Sequence, residues 1–503
     1  MMPVPVCASV QRPPASEQIP VASEPEVELP ADVWFIIMRH LSPFDLVKLS
    51  QTCRTLHEYS QLHHVWHNAL LKHRFLLKSY PHLRTAPTDV IRRQLITTAR
   101  IDKAYSQGSL KPIKSYSFPI DVPGQLLGLR FLPGGEWLVM LFHSRMLNPA
   151  RHSNICLFKP PLASNPLDPT STSVTLQSEW CWLSFSSHDG PYKSSRGDDL
   201  MLLRTFVKNK RTFAVCHLDT KTPSLKITYM FHTTDFIRSY SAADDYIAYG
   251  WITDDRKHML RVMKLSEDYT TLIKDITVEI DCPPGHDGKL RIHYDLRLSG
   301  RTPRVLLIST RLMAAYDISD MTLTSESLPL RIQPVWKRMP TEISFGRILQ
   351  VFHEGAIVTL YEGKIRFVYP EIDDTKPNSE TTIIYRFPHS GPQSSKWPAC
   401  FESQRIFWLL RLPGPLPAAV SSLPLIETAT LPSPQGEGCD VERVLIDHED
   451  LTLTSGCSVC FTSIVQDWDE LSGRLCMRHG KSKFPHDHSW RQLGWHITIM
   501  DMV

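Results

Sequence analysis

The sequence predicts an α+β multidomain chain in which a small helical unit precedes a large all-β region. Two observations carry this reading. Between residues 29 and 66, and again between 88 and 99, apolar residues recur three and four apart, the spacing of one helix face. From about residue 115 the period falls to two, and the apolar runs end on turns containing Gly and Pro.

Residues 1–28 are rich in Pro, Ser, Glu and Val and show neither period, as expected of a disordered tail. Leu29-Pro30 then opens a helix where a missing N–H carries no penalty. Val33, Ile36, Ile37 and Leu41 make one face of it. Ser42-Pro43 breaks that helix, and Asp45 marks the start of the next, whose stripe is Leu46, Leu49 and Cys53. Leu62, Val65 and Trp66 give a short third helix its apolar edge. So few residues cannot bury a sufficient core, and a unit of this kind leaves an apolar face for a partner.

The stretch 29–68 resembles an F-box, the motif by which substrate receptors dock on the Skp-family adaptor of cullin-based SCF ubiquitin ligases. The match runs without insertion through Leu29-Pro30, Asp32, Ile37, Leu41, Asp45-Leu46, Leu49-Ser50, Cys53-Arg54 and Trp66. At Thr52 and Leu56 the family more often has Val and Trp. The resemblance implies a contact set for the adaptor: Leu29, Pro30, Ile37, Leu41, Leu46, Leu49, Cys53, Arg54 and Trp66.

Residues 69–114 read as a helical linker. Ala69, Leu70, Leu76 and Leu77 precede Pro81 and Pro87; Thr88-Asp89 then introduces the stripe Val90, Ile91, Leu95, Ile96 and Ala99. So much apolar surface argues against a flexible connector and for one that fixes the helical unit on the β-rich remainder of the chain.

Residues 115–503 form the all-β domain. Leu126–Leu132, the turn Pro133-Gly134-Gly135 and Trp137–Phe142 read as strand, tight turn, strand. Comparable signals recur at Leu200–Val207, Tyr246–Trp251, Val305–Thr310, Ala356–Tyr361, Ile406–Leu410 and Val459–Val465, at a mean interval of roughly 54 residues, room for a four-stranded unit and its loops. Trp468-Asp469 precedes a further turn and strand. Radial repetition of such units is a β-propeller, here of seven blades; a β-sandwich is the alternative. The Pro-rich stretches 159–173 and 412–436 are expected to be surface loops or disorder. The whole chain resembles F-box proteins of the fungal type with a divergent WD-like propeller, including Leu132-Pro133-Gly134-Gly135 and Asp469-Glu470-Leu471-Ser472-Gly473-Arg474.

A net charge of +3 over 503 residues gives no electrostatic case for nucleic acid or an anionic membrane as partner. Eleven cysteines, an odd number, and no secretory signal point to reduced thiols in the cytoplasm or nucleus. No apolar run has the length that spans a bilayer.

Few groups suggest chemistry. Cys457, Cys460, Cys476 and His479 have the spacing of a zinc site, but they fall on strands, where residues three apart point to opposite faces; core cysteines are the better reading. His486-Asp487-His488 reads as a solvated loop, and Gly480-Lys481-Ser482 lacks the upstream glycine of a phosphate loop. Asp281 to Gly288 gathers Cys282 and His286 within a turn that has no oxyanion donor. Lys208-Asn209-Lys210-Arg211 is a basic hairpin tip, and His63, His64 and His67 are packing or solvent groups beside Trp66.

No cofactor and no catalytic residue is therefore expected. The resemblance implies a non-catalytic substrate-recognition subunit of a ubiquitin ligase, with the Skp-family adaptor and, through it, a cullin as partners. Rival readings are a scaffold that uses the helical unit for assembly alone, and a propeller enzyme. The enzyme would need carboxylates or histidines in series at blade ends, and the sequence has no regular series of them.

Overall fold

The computed structural model describes most of residues 29–502. Outside the description are residues 1–28, 106–108, 121–124, 144–152, 161–170, 173–180, 185–189, 281–297, 319–329, 339–346, 352–356, 372–378, 387–398, 401–404, 411–424, 431–442, 447–459 and 483–494, with a few shorter intervals. The tail expected at 1–28, the His486-Asp487-His488 loop and the Asp281–Gly288 turn all fall there.

Among the described residues five α-helices with defined ends come first: α1 (Ala31–His40), α2 (Pro43–Leu49), α3 (Arg54–Ser60), α4 (His63–Lys72) and α5 (Thr88–Tyr105), with a 3-10 turn at Pro81–Arg84 between the last two. They share one core. Met38, Leu46, Leu56, Val65, Trp66, Leu70, Leu76, Leu83, Ile91 and Leu95 are buried together in it. The segment expected to be a linker is thus part of the helical unit: α5 turns Ile91, Leu95, Thr98, Ile101 and Tyr105 inward along one face and packs on α2 and α4. The helices end at Tyr105, short of residue 114. Ser109–Leu110 is already a strand.

The rest is β. Among the described residues seven sheets follow one another along the chain, each antiparallel through its four main strands. The seven strand signals fall one to a sheet, in strands Leu138–His143, Asp199–Val207, Tyr246–Ile252, Thr302–Ile308, Ile357–Tyr361, Arg405–Leu410 and Cys460–Asp469. Two sheets carry a fifth, parallel outer strand: Leu330–Ile332 on the third and Ser109–Leu110 on the sixth. Both Pro-rich stretches differ from expectation. Leu425–Thr430 is an inner strand of the sixth sheet, and Ser171–Thr172 is the outermost of the first. Leu425-Ile426-Glu427-Thr428-Ala429-Thr430 is too short for its apolar character to outweigh the prolines around it in a sequence window.

The seven described sheets form a propeller rather than a sandwich, because the seventh, first, second, third and fourth pack face to face in that order and the ring is closed by a strand from the other end of the chain. Along Asp199–Val207, Met201 and Leu203 pack on the first sheet while Leu200 and Leu202 pack on the third. Val139 and Leu141 face the second sheet, and Leu138, Met140 and Phe142 face the seventh. A sheet buried on both faces needs apolar residues at both phases of the two-residue period. That is why these strands read as continuous runs such as Leu-Met-Leu-Leu instead of alternating. The seventh sheet is completed by Lys114–Ile120, which pairs antiparallel with Trp495–Asp501 from Lys114 opposite Asp501 to Ile120 opposite Trp495.

A polar clasp locks the seam between the seventh and first sheets. The N–H of Phe131 donates to Asp467 Oδ2 (2.6 Å), and Arg130 lies 3.5 Å from Oδ1. The N–H of Gly134 donates to Asp469 Oδ1 (3.0 Å), that of Ser472 to Oδ2 (2.8 Å), and Arg474 donates to both the Gly135 carbonyl and Asp501 (2.8 Å each). Burial pushes the Asp467 carboxyl up to about 7, against the opposing pull of Arg130. A folded-state value above that of the unfolded chain, about 3.9, favours the fold while the group is protonated; the gain is complete below about pH 4 and is lost as pH rises through about 7. Asp467→Asn keeps an acceptor for Phe131 and cannot ionise. Relative to this variant, the wild type is expected to lose stability steadily between about pH 4 and 7 in urea titrations. A pH-independent difference would show the carboxyl ionised throughout.

Candidate partner-binding face

Helix α1 is fixed by its inner side and apolar on its outer side. Pro30 caps it, with its carbonyl accepting from the N–H groups of Val33 (3.1 Å) and Trp34 (3.3 Å). Trp34, Met38 and Leu41, at i, i+4 and i+7, turn inward to the helical core. Phe35 joins them, its ring 5.3 Å from Tyr59 and 4.7 Å edge-on to His64. On the outer side Leu29, Val33 and Ile36 repeat the same spacing and are 43%, 37% and 62% exposed. Ile37 lies between the two stripes, half-buried. The helix is therefore apolar on both sides, and among the described residues only one side is covered.

The neighbouring helices are set by local rules. Ser42 caps α2, accepting from the Asp45 N–H (3.2 Å) while its hydroxyl donates to the Asp45 carboxylate (2.7 Å). The buried Trp66 indole donates to the Ser60 carbonyl (2.6 Å). Arg92 of α5 stacks over the same indole, 5.5 Å from its centroid, and reaches Gln61 Oε1 (3.1 Å). Leu56, where the resembled family more often has Trp, is buried in the shared core, and Thr52 donates to the Leu49 carbonyl (2.8 Å).

Three contacts seat the helical unit on the propeller. Leu471, in the hairpin of the seventh sheet, belongs to the helical core, and Tyr105 meets Trp468 edge-on at 6.2 Å. Further round, His82 lies against Gly197 in the second sheet's loop: a Cβ added to Gly197 would sit 3.6 Å from the Cβ of His82, and its φ of +91° already favours glycine. Burial, with Lys193 adding to it, pushes His82 down to about 4. Leu471 and Gly197 both lie on turns that follow the innermost strand of a sheet, so the helices occupy one face of the ring. Leu471→Ala is expected to cost about 2–4 kcal/mol, the price of a core cavity, read as faster hydrogen exchange in α4 and α5. Unchanged exchange would mean that the two parts are only loosely joined.

The expected contact residues divide. Leu29, Pro30, Cys53 and Arg54 are exposed, Arg54 in an ion pair with Glu58 (3.0 Å). Ile37, Leu41 and Leu49 are half-buried. Leu46 and Trp66 lie inside the core, where their side chains hold helices and touch no outer surface. The apolar groups that do stand outward beside Leu29 are Val33 and Ile36. Their spacing was visible in sequence; which of two interleaved stripes faced inward was not.

The other candidates do not assemble. Cys460 pairs with Ser482 and Cys476 with Asp467, so these two cysteines lie roughly 20 Å apart along the hairpin; Cys476 is buried. Cys457 falls outside the described residues, and among those described no three His, Cys, Asp or Glu side chains come together to hold a metal. Lys208 and Asn209 fall outside too, while Arg211 donates to the Asp235 carbonyl. No helix among the described residues is long and apolar enough to cross a membrane.

A family model described as F-box domain matches residues 27–68, the stretch that holds α1, α2, α3 and the first part of α4. No curated protein matches the chain in sequence. Among solved structures, the chain is similar to a protein from Lactobacillus plantarum (13% identity, 68% of this chain and 90% of that one, TM-score 0.35). It is also similar to the WD40 domain of SCAP from fission yeast (10%, 75% and 84%, TM-score 0.33). A third is an acylaminoacyl peptidase from Pyrococcus horikoshii (10%, 71% and 49%, TM-score 0.35).

Proposed function

We propose that this chain, an F-box domain seated on a seven-bladed propeller, is a substrate-recognition subunit of an SCF-type ubiquitin ligase. The observation that carries the reading is the outward stripe Leu29–Val33–Ile36, an uncovered apolar surface on a helix whose other side is locked in the core. Burying such a stripe against an apolar partner removes it from water at about 25 cal/mol per Å². The Skp-family adaptor would occupy it, with Pro30, Ile37, Cys53 and Arg54 at its margin, and a cullin would follow through the adaptor. Leu46, Leu49, Leu41 and Trp66 would act by setting helix positions.

The chain performs no covalent step in this reading. It holds a protein substrate close to the activated ubiquitin, and the rate gain comes from proximity. Because the helices sit over the turns after the innermost strands, the opposite face of the ring is the one open to a substrate. Such a complex would work in the cytoplasm or nucleus.

The test is direct. Full-length chain is mixed with purified Skp-family adaptor and run on a sizing column, then added to a reconstituted ligase with a cell extract. Co-elution and new ubiquitin conjugates support the reading. Absence of co-elution overturns it, and co-elution without any conjugate favours a scaffold.

A further inference from the structure

The outermost strand of the second sheet, Ser224–Thr233, is long, and among the described residues its outer edge is bare. Ten residues at about 3.4 Å each give an edge of roughly 34 Å. Its inner side pairs with Lys210–Asp219; among the described residues no strand pairs with its outer side. The same chain covers comparable edges elsewhere. Leu330–Ile332 adds to the third sheet and Ser109–Leu110 to the sixth, each in parallel. The outer edges of this propeller thus accept an extra strand.

The side chains of the bare strand divide by phase. Phe231 and Tyr229 follow Phe213 and Val215 toward the third sheet, with Phe231 stacked 5.1 Å from Phe213. Ile227 and Met230 turn the other way. Among the described residues the first sheet's outermost strand is Ser171–Thr172, which leaves them 36% and 45% exposed. An edge with apolar side chains beside it is a template for main-chain pairing.

The charges say what kind of segment fits. The strand contains no Asp or Glu. Lys226 lies within it, Lys221 in the turn at one end and Lys210 beside the other. All three are exposed, and none has an ion pair among the described residues. Asp219, the carboxylate of that turn, is engaged by the N–H groups of Lys221 (2.8 Å) and Thr222 (3.3 Å). Lysines on an edge repel neutral and basic strands, which would lose water from the ammonium groups without compensation. An acidic strand meets them favourably.

We propose that the outer edge of the second sheet takes an extended acidic segment of a partner protein as an added strand. The segment pairs main chain to main chain along Ser224–Thr233, places alternate apolar side chains on Ile227 and Met230, and sets carboxylates against Lys210, Lys221 and Lys226. This edge is remote in sequence from α1, and the inference stands whether or not the helices dock an adaptor.

The probe is a labelled ten-residue peptide of alternating Glu and Val, added to the full-length chain and followed by fluorescence anisotropy and hydrogen exchange. Amides within 224–233 are expected to gain protection, and binding to weaken at least tenfold from 50 to 500 mM salt. A Lys210→Glu, Lys221→Glu, Lys226→Glu chain is expected to bind at least tenfold more weakly with its adaptor binding unchanged. A Lys-Val peptide is expected not to bind. The exchange result needs no variant: no binding, or binding with 224–233 unprotected, overturns the proposal. So does a triple variant that binds as tightly as the wild type.

Discussion

An Ile36→Asp chain is expected to lose the adaptor while its propeller unfolds at the same urea concentration as the wild type. Ile36 is 62% exposed and belongs to no core cluster, so in the free chain the new carboxylate stays in water. Surface changes of that kind stay within about 0.5 kcal/mol. In the complex the carboxylate would be taken from water into an apolar contact with no cation to meet it. Even a partly compensated loss of hydration costs about 3 kcal/mol or more, which is at least a hundredfold in affinity. Val33→Asp should act the same way. Leu46→Asp would not separate the possibilities, because Leu46 is a core residue and its loss would unfold the helices themselves. Full binding by the Ile36→Asp chain would move the contact away from α1 and remove the basis of the proposed function.

Gly135→Ala is expected to open the ring seam. Gly135 follows Pro133-Gly134 in the first sheet's hairpin, where its N–H donates to the Leu132 carbonyl (2.9 Å) at a φ of +66°. A Cβ there would sit 1.9 Å from Ser472 Oγ and 2.7 Å from Ser472 Cβ, on the clasp that joins the seventh sheet to the first. Left-handed backbone and a forced shift of that clasp together cost about 2–6 kcal/mol, a large share of a domain's stability. Gly134 supplies the control. Its φ is +105°, but a Cβ there meets nothing within 4 Å, so Gly134→Ala should cost only the backbone strain, about 1–3 kcal/mol. Equal urea midpoints for the two variants would mean that the clasp yields freely.

The sequence made the broad division of this chain legible because both signals are local. The helical spacing in α1 and α5 and the two-residue period from residue 115 depend only on near neighbours. The seven strand signals survived a divergent repeat because doubly buried strands must be apolar at both phases, as in Leu200–Leu203. What stayed hidden was relational. On α1, Val33–Ile36 and Trp34–Met38–Leu41 are equally good stripes, and packing on α3 and α4 decides which one faces inward. Leu46 and Trp66 looked like contact residues since a core and an interface ask for the same side chains. Asp467 and Asp469 gave no sign of burial, because their partners Phe131 and Gly134 come from the other side of the seam. Leu425–Thr430 was masked by its flanking prolines.

The closing strand Lys114–Ile120 lies just after the helices, yet its partner is Trp495–Asp501, and the helical core takes Leu471 from the same distant hairpin. Proteins emerge from the ribosome N-terminus first, at about 5–20 residues per second. For the whole interval in which the propeller is being made, the strand that will close it waits unpaired and the helical unit lacks its last core residue. Both are supplied only when residues 460–501 have left the ribosome. A product that stops early therefore keeps an open sheet edge and an imperfectly seated F-box domain.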